Sequence, residues 1–250
     1  MTNQAVCDYK GYDYKTAFWN DLDRDYEHKI EHALVHRLTR EYSSKQGTLI
    51  DLGCGFGRLF DAYKDHATTF NLVDYSHDLL KEAKSTIKTS KPISFVQGNA
   101  YNLPFQFPAA DTVVSIRTLH HFTDLPALFA EVHRVLKTNG VFIFEIPNKA
   151  HLLNRIRYKL KRLASDPQSK DPLVINPTYV NYHPLDVFEK AQAAGFDIVE
   201  TIPVSFFRQS LIKRLFPTSL LVWAESQLQH VVKQTWLTPS IYVVVKRVDR

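Results

Sequence analysis

Cysteine and methionine are nearly missing from this 250-residue sequence, which has two of the first and one of the second. Cys7 and Cys54 cannot build a disulfide framework, and no metal-ligand spacing surrounds them, so no metal is expected. No apolar run approaches the roughly 18 residues of a membrane helix. The opening Met1, Thr2, Asn3 and Gln4, followed by tyrosine and lysine, does not read as a signal peptide, and the expectation is a cytoplasmic protein. Internal repeats and low-complexity tracts are absent. A hydrophobic content of 44% and a charged content of 23% exclude bulk disorder. The net charge of +5 suits an acidic substrate, an anionic membrane surface or RNA, and it selects none of them.

Glycine is scarce as well, with eight residues. Three of them, Gly53, Gly55 and Gly57, occupy alternate positions just after the apolar run Leu49, Ile50, Asp51, Leu52. This suits a strand that turns sharply into a helix and lets a nucleoside approach the backbone. Asp74 follows at the end of the second apolar run, Thr69 to Val73, at an offset that places a carboxylate beside a ribose in a βαβ unit.

Around this loop, strand and helix patterns alternate from Thr48 to about Ile146. Trp19, Leu22, Tyr26, Ile30, Ala33, Leu34 and Leu38 predict an amphipathic helix leading into the core. Ser76 caps a helix whose inner face is Leu79, Leu80, Ala83 and Ile87, and Ile93 to Val96 reads as a strand. Thr112 to Ile116 is a buried strand, Pro126 opens a helix that Gly140 ends, and Val141 to Ile146 is the next strand. After a looser polar stretch, a helix from Pro184 to Ala194 ends at Gly195, and Phe196 to Val204 and Ser240 to Val248 read as closing strands. Strands separated by helices of this length predict a parallel sheet covered on both faces.

The order of segments resembles the class I S-adenosylmethionine-dependent methyltransferases, in the branch that includes ubiquinone and menaquinone C-methyltransferases. Asp51, Gly53, Cys54, Gly55 and Gly57 are similar to the family's acid and glycine loop; Asp74 and Tyr75 to its ribose acid and following residue; Gly98, Asn99, Ala100 and Leu103 to Phe105 to its adenine segment. Asp111 to Phe122 resembles its fourth strand and exit, and Leu136 to Gly140 completes the pattern. The competing dinucleotide fingerprint needs glycine at position 58, where this sequence has arginine.

The resemblance implies an α/β fold, a Rossmann-like seven-stranded mostly parallel sheet with helices on both faces, plus an N-terminal helical segment and two insertions near the C-terminal half. Residues 1–46 then form an aromatic lid and helix, with Tyr12, Tyr14 and Trp19 as lid and substrate candidates. Residues 47–250 form the cofactor-binding domain, with insertions at about 148–183 and 205–238.

In that reading the three glycines leave room for S-adenosylmethionine, Asp51 orients the loop or accepts from the cofactor's ammonium, and Asp74 accepts from both ribose hydroxyls. Tyr75 packs on adenine. Asn99, where the family usually has an aspartate, accepts the adenine amino group beside Ala100. Arg117 offers its carbonyl to the methionine end and its side chain to an anionic substrate; the alternative is an exposed loop arginine. His120 and His121 are candidates for a general base, and a purely structural role stays open. In-line displacement at a sulfonium-activated methyl needs alignment and exclusion of water, and S-adenosylhomocysteine is the product.

The acceptor is expected to be a small molecule, methylated at oxygen, nitrogen or carbon, with a lipid-like or aromatic character suggested by Leu220, Leu221 and Trp223. Arg155, Arg157, Lys159, Lys161 and Arg162, with Ile156, Leu160 and Leu163 on one helical face, predict either a solvated lid helix or a contact through 155–163 with an anionic membrane. Nucleic acid is the less favoured partner, because no Asn-Pro-Pro-aromatic motif follows strand four. An RNA methyltransferase and a non-catalytic S-adenosylmethionine-binding protein remain the alternatives.

Overall fold

The computed structural model describes residues 24–176, 179–232 and 237–249. Its centre is a seven-stranded sheet built from β1 (Thr48–Leu52), β2 (Thr69–Asp74), β3 (Ile93–Gln97), β4 (Ala110–Ser115), β5 (Leu136–Pro147), β8 (Phe196–Val204) and β9 (Ser240–Arg247). The spatial order is β3-β2-β1-β4-β5-β9-β8. The first five strands are parallel, and β9 runs antiparallel between β5 and β8. This places the carboxyl ends of β1, β2, β4, β5 and β8 on one edge. The order reverses at β1, where an open α/β sheet leaves a crevice for a ligand.

Central strands are buried on both faces, so they read as continuous apolar runs. One face carries α4 (Leu125–Val135) and α6 (Pro184–Ala193), with Leu128, Phe129, Val132, Val187 and Ala191 in a single core. The other carries α1 (Asp25–Tyr42), α2 (Phe60–Tyr63), α3 (His77–Thr86) and α8 (Thr218–Val231). Caps follow the sequence: Ser76 accepts from the Leu79 N–H, and Asp124 accepts from the Ala127 N–H ahead of Pro126.

Several expectations change. Helix α1 buries Tyr26, Ile30, Leu34, Val35 and Leu38, whereas Ala33 is exposed, and Glu27 and Glu31 take inward positions. Trp19 and Leu22 lie outside the described residues, as do Tyr12 and Tyr14. Gly140 does not end α4. The helix stops at Val135, Leu136 already pairs with Ala110, and the register shifts before Val141 meets Thr112. A side chain at Gly140 would sit 2.8 Å from the Lys137 carbonyl oxygen, so glycine there serves close backbone approach at the bulge.

The region 148–183 holds α5 (Leu152–Lys159) and an unforeseen two-stranded hairpin of β6 (Leu173–Asn176) and β7 (Tyr179–Asn181). The region 205–238 holds α7 (Ser210–Leu215) and α8. Helix α5 ends at Lys159 and Lys161 adopts a left-handed φ of 56°, so Lys161, Arg162 and Leu163 do not continue the helix. None of its residues is buried, so Ile156 and, beyond the helix, Leu160 stand exposed rather than packed.

Candidate active site

The glycine turn leaves β1 at the crevice. Gly53 has φ +75°, and a side chain on it would lie 2.3 Å from Thr118 Cγ2. Its N–H and that of Cys54 donate to the Val73 carbonyl at 2.7 and 3.1 Å, tying the turn to β2. Gly57 is likewise closed, against Ile87. Of the three, Gly55 alone has nothing within 4 Å of where its side chain would be among the described residues. Thus one of the three glycines faces open space, and the other two let the backbone approach Thr118 and Ile87.

Asp74 holds this turn. Its Oδ2 accepts from the Gly55 N–H and its Oδ1 from the Ser76 N–H, both at 2.8 Å. Burial raises its pKa, and the N–H donors partly offset this. Each oxygen retains a lone pair, so the carboxylate can also accept from a vicinal diol. Tyr75 is exposed beside it. Asn99 turns inward on its own loop, its Oδ1 accepting from the Tyr101 N–H at 3.0 Å, and Ala100 is buried.

Asp51 is buried and accepts from the Tyr63 hydroxyl at 2.6 Å. Burial pushes its pKa up to about 7, assisted by Asp74 and opposed by Tyr63 and Arg58. With Gly53, Cys54, Gly55, Arg58 and Arg117 it lines a partly open pocket of about 50 Å³. The Cys54 thiol is buried, and burial with two nearby carboxylates drives its pKa upward, so it is a neutral filler of the turn.

Arg117 has a left-handed φ of 62°. Its guanidinium is neither an exposed loop group nor open to a substrate: it pairs with Glu31, Nε to Oε1 at 2.6 Å, while Arg58 pairs with the other oxygen. Glu31 is 3% exposed on α1. Burial alone would raise its pKa, and the two guanidiniums bring it below the usual value. This triad joins α1, the glycine turn and the β4 exit, and sequence reasoning missed it. A glutamate on the Ile30, Leu34, Leu38 stripe was the available signal.

Beyond Arg117, the 3₁₀ turn Leu119–His121 presents both histidines. The His120 ring lies 4.0 Å from His121 and 4.5 Å from Tyr179 of the β6–β7 hairpin, centroid to centroid. Burial, with His121, Arg117 and Arg208 nearby, holds the His120 pKa well below its usual value, so this imidazole is neutral. Arg208 follows β8 and lies within electrostatic reach of His120, His151, Tyr179 and Glu145. Its turn is built by buried Glu225, which accepts from the Ser205 and Phe206 N–H groups at 2.6 and 3.0 Å and from the Tyr26 hydroxyl. Glu145, near the end of β5, accepts from the Ser240 hydroxyl at 2.6 Å through Oε1, and its buried Oε2 has no partner among the described residues. Burial raises its pKa. Neither Arg208, Glu145 nor Tyr179 stands in a recognisable motif; chain segments far apart in sequence bring them together.

The sheet order, the glycine turn and the acid that ends β2 are the arrangement of a class I methyltransferase fold. Residues 50–144 match the family model described as a methyltransferase domain. The sequence is 34% identical over 45% of its length to a 2-phytyl-1,4-naphtoquinone methyltransferase of Nostoc, covering 56% of that protein. It is 35% identical over 48% of its length to protein MJ0638 of Methanocaldococcus jannaschii, covering 49% of it. The chain thus spans about half the length of these curated relatives. A putative methyltransferase solved in complex with the Haloferax volcanii Trm112 activator has the same fold, with a TM-score of 0.66, 19% identity, and coverage of 98% of this chain and all of that one.

Proposed function

We propose that this protein transfers the methyl group of S-adenosylmethionine to an oxygen, nitrogen or carbon of a small molecule. The observation that carries this is the open Gly55 face, with the Asp74 carboxylate bonded to the Gly55 N–H and the Asp51 carboxylate lining the same small pocket as Gly55. A nucleoside with a vicinal diol and an α-ammonium group fits these three features in chain order. The cofactor, when bound, supplies an activated methyl on a sulfonium. Asp51 would hold its ammonium, Asp74 its ribose, and Tyr75 its adenine, while Asn99 offers its second lone pair.

The acceptor side is the space flanked by His120, Tyr179 and Arg208. A neutral His120 can take a proton from an acceptor hydroxyl, amine or activated carbon as the methyl leaves sulfur. Arg208, within electrostatic reach of His120 and His151, gives this side a positive charge suited to an acidic group on the acceptor. The lid reading of Tyr12, Tyr14 and Trp19 is kept as part of this proposal.

Calorimetry with S-adenosylhomocysteine, followed by turnover over a panel of hydroxy, amino and quinone-like acids, tests the proposal. Cofactor binding with turnover of at least one acceptor is expected. No cofactor binding would refute it, binding without turnover over the panel would favour a non-catalytic role, and methylation of RNA alone would make it an RNA enzyme.

A further inference from the structure

The two segments that follow β5 and β8 share a composition that the catalytic reading leaves unused. Most of the exposed large apolar side chains among the described residues lie in them. On and after α5 these are Leu152, Leu153, Ile156, Tyr158 and Leu160; on α7 and α8 they are Leu211, Leu215, Phe216, Leu220, Trp223 and Val231. Leu211 and Leu215 are each 67% exposed and Trp223 is 61% exposed, far more than a packed helix face leaves open.

The charge around these groups has one sign. From His151 to Leu163 there are five cations and no carboxylate. From Ser205 to Val232 the cations are Arg208, Lys213 and Arg214; Lys213 is spent on Glu27 of α1, which leaves Arg208 and Arg214, and the single carboxylate, Glu225, is buried and consumed by Tyr26, Ser205 and Phe206. Scattered apolar exposure is ordinary, but here exposed leucines and a tryptophan alternate with arginines and lysines, with no exposed acid to repel an anionic surface. That is the composition of a segment lying in a lipid headgroup layer.

The topology puts both segments at one place. Strands β5 and β8 end on the same sheet edge, and His151, which precedes α5, lies within electrostatic reach of Arg208, two residues before α7. The pair therefore flanks the acceptor side of the crevice. No helix among the described residues is long and apolar enough to cross a bilayer.

We infer that α5 and the α7–α8 segment dock this protein on an anionic lipid bilayer, with the acceptor side of the crevice toward the headgroups. The placement relative to the crevice rests on the proposed methyltransferase site; the lipid contact itself does not. Arginine and tryptophan at the rim then anchor by charge and by interfacial insertion together, and neither alone suffices.

Co-sedimentation of the full chain at low salt tests this, with vesicles of phosphatidylcholine alone and of phosphatidylcholine with phosphatidylserine. Pelleting with the phosphatidylserine vesicles alone is expected. Arg157→Gln with Lys159→Gln and Lys161→Gln should weaken it by about tenfold or more, since each basic residue near such a surface adds about one factor of five. Leu215→Ser with Trp223→Ser should weaken it comparably through lost insertion. All five positions are solvent-exposed, and unchanged S-adenosylhomocysteine affinity in each variant shows that the fold and the cofactor site stand independently of the lipid result. No pelleting would overturn the inference and leave the face to residues 1–23 or a second copy. Pelleting that survives both variants, or full displacement by a short single-stranded RNA bound more tightly than the vesicles, would overturn it equally.

Discussion

If Asp51 receives the ammonium of S-adenosylmethionine, cofactor affinity must carry the signature of its raised pKa. In the unliganded protein the carboxyl titrates at about 7, because burial disfavours the charge more than Tyr63 and Arg58 support it. An ammonium in the same space favours the carboxylate and returns the pKa toward the usual range of about 4. Binding then requires the carboxyl to ionise, and below pH 7 this costs about 1.4 kcal/mol per pH unit. The affinity at about pH 6 should be roughly tenfold weaker than near pH 7.5, with close to one proton released per cofactor bound. Above about pH 8 the cofactor's own α-amino group loses its proton and affinity should fall again. Calorimetry in buffers of different ionisation enthalpy reads both the slope and the proton count. Asp51→Asn should abolish the acid-side slope and weaken binding at pH 7.5 by about 2 kcal/mol, the scale of a charged hydrogen bond. An unchanged slope in that variant, or flat affinity from about pH 5.5 to 7.5, would refute the assignment. The sign for folding is the reverse: a carboxyl with a raised folded pKa favours the unliganded fold below about pH 4, and that contribution is lost as pH climbs to about 7.

Three further outcomes are expected. Asp74→Ala should weaken S-adenosylhomocysteine binding by about 1–3 kcal/mol in calorimetry, and it should also lower the melting temperature, because the Gly55 and Ser76 N–H groups lose their acceptor. Gly53→Ala combines a strained φ with a 2.3 Å approach to Thr118, and denaturant unfolding should show a loss of at least about 1–3 kcal/mol; a neutral result would contradict the turn geometry. Glu31→Gln leaves two buried guanidiniums short of a counter-charge and should destabilise the fold by about 3–5 kcal/mol, whereas the same change at exposed Glu189 should cost well under 1 kcal/mol.

The frame of this protein was legible in its sequence because the signals are local. Apolar runs of strand length, helix faces at 3.6-residue spacing, the cap at Ser76, the helix start at Pro126, and the glycine turn depend on neighbours a few residues away. Strand bounds at Thr48, Ile93, Phe196 and Ser240 follow from them. Gly140 misled because helix termination and close approach at a bulge use the same residue for different reasons. The hairpin β6–β7 was hidden by its short strands. The division of labour among the three glycines was also unreadable, since only the positions of Thr118 and Ile87 separate a closed glycine from an open one.

What the tertiary structure alone decided is the environment of each charge. The sequence determined that an acid lies next to the end of β1, that another ends β2, and that an arginine follows β4. It could not show that Arg117 is consumed by Glu31, 86 positions away, or that Asp51 is buried far enough to hold its proton near neutrality. Nor could it bring Tyr179 and Arg208 to His120, or leave the apolar side chains of α5, α7 and α8 uncovered. Backbone pattern is set by steric and hydrophobic preferences within a segment, whereas pairing and desolvation depend on which segments the sheet order places side by side.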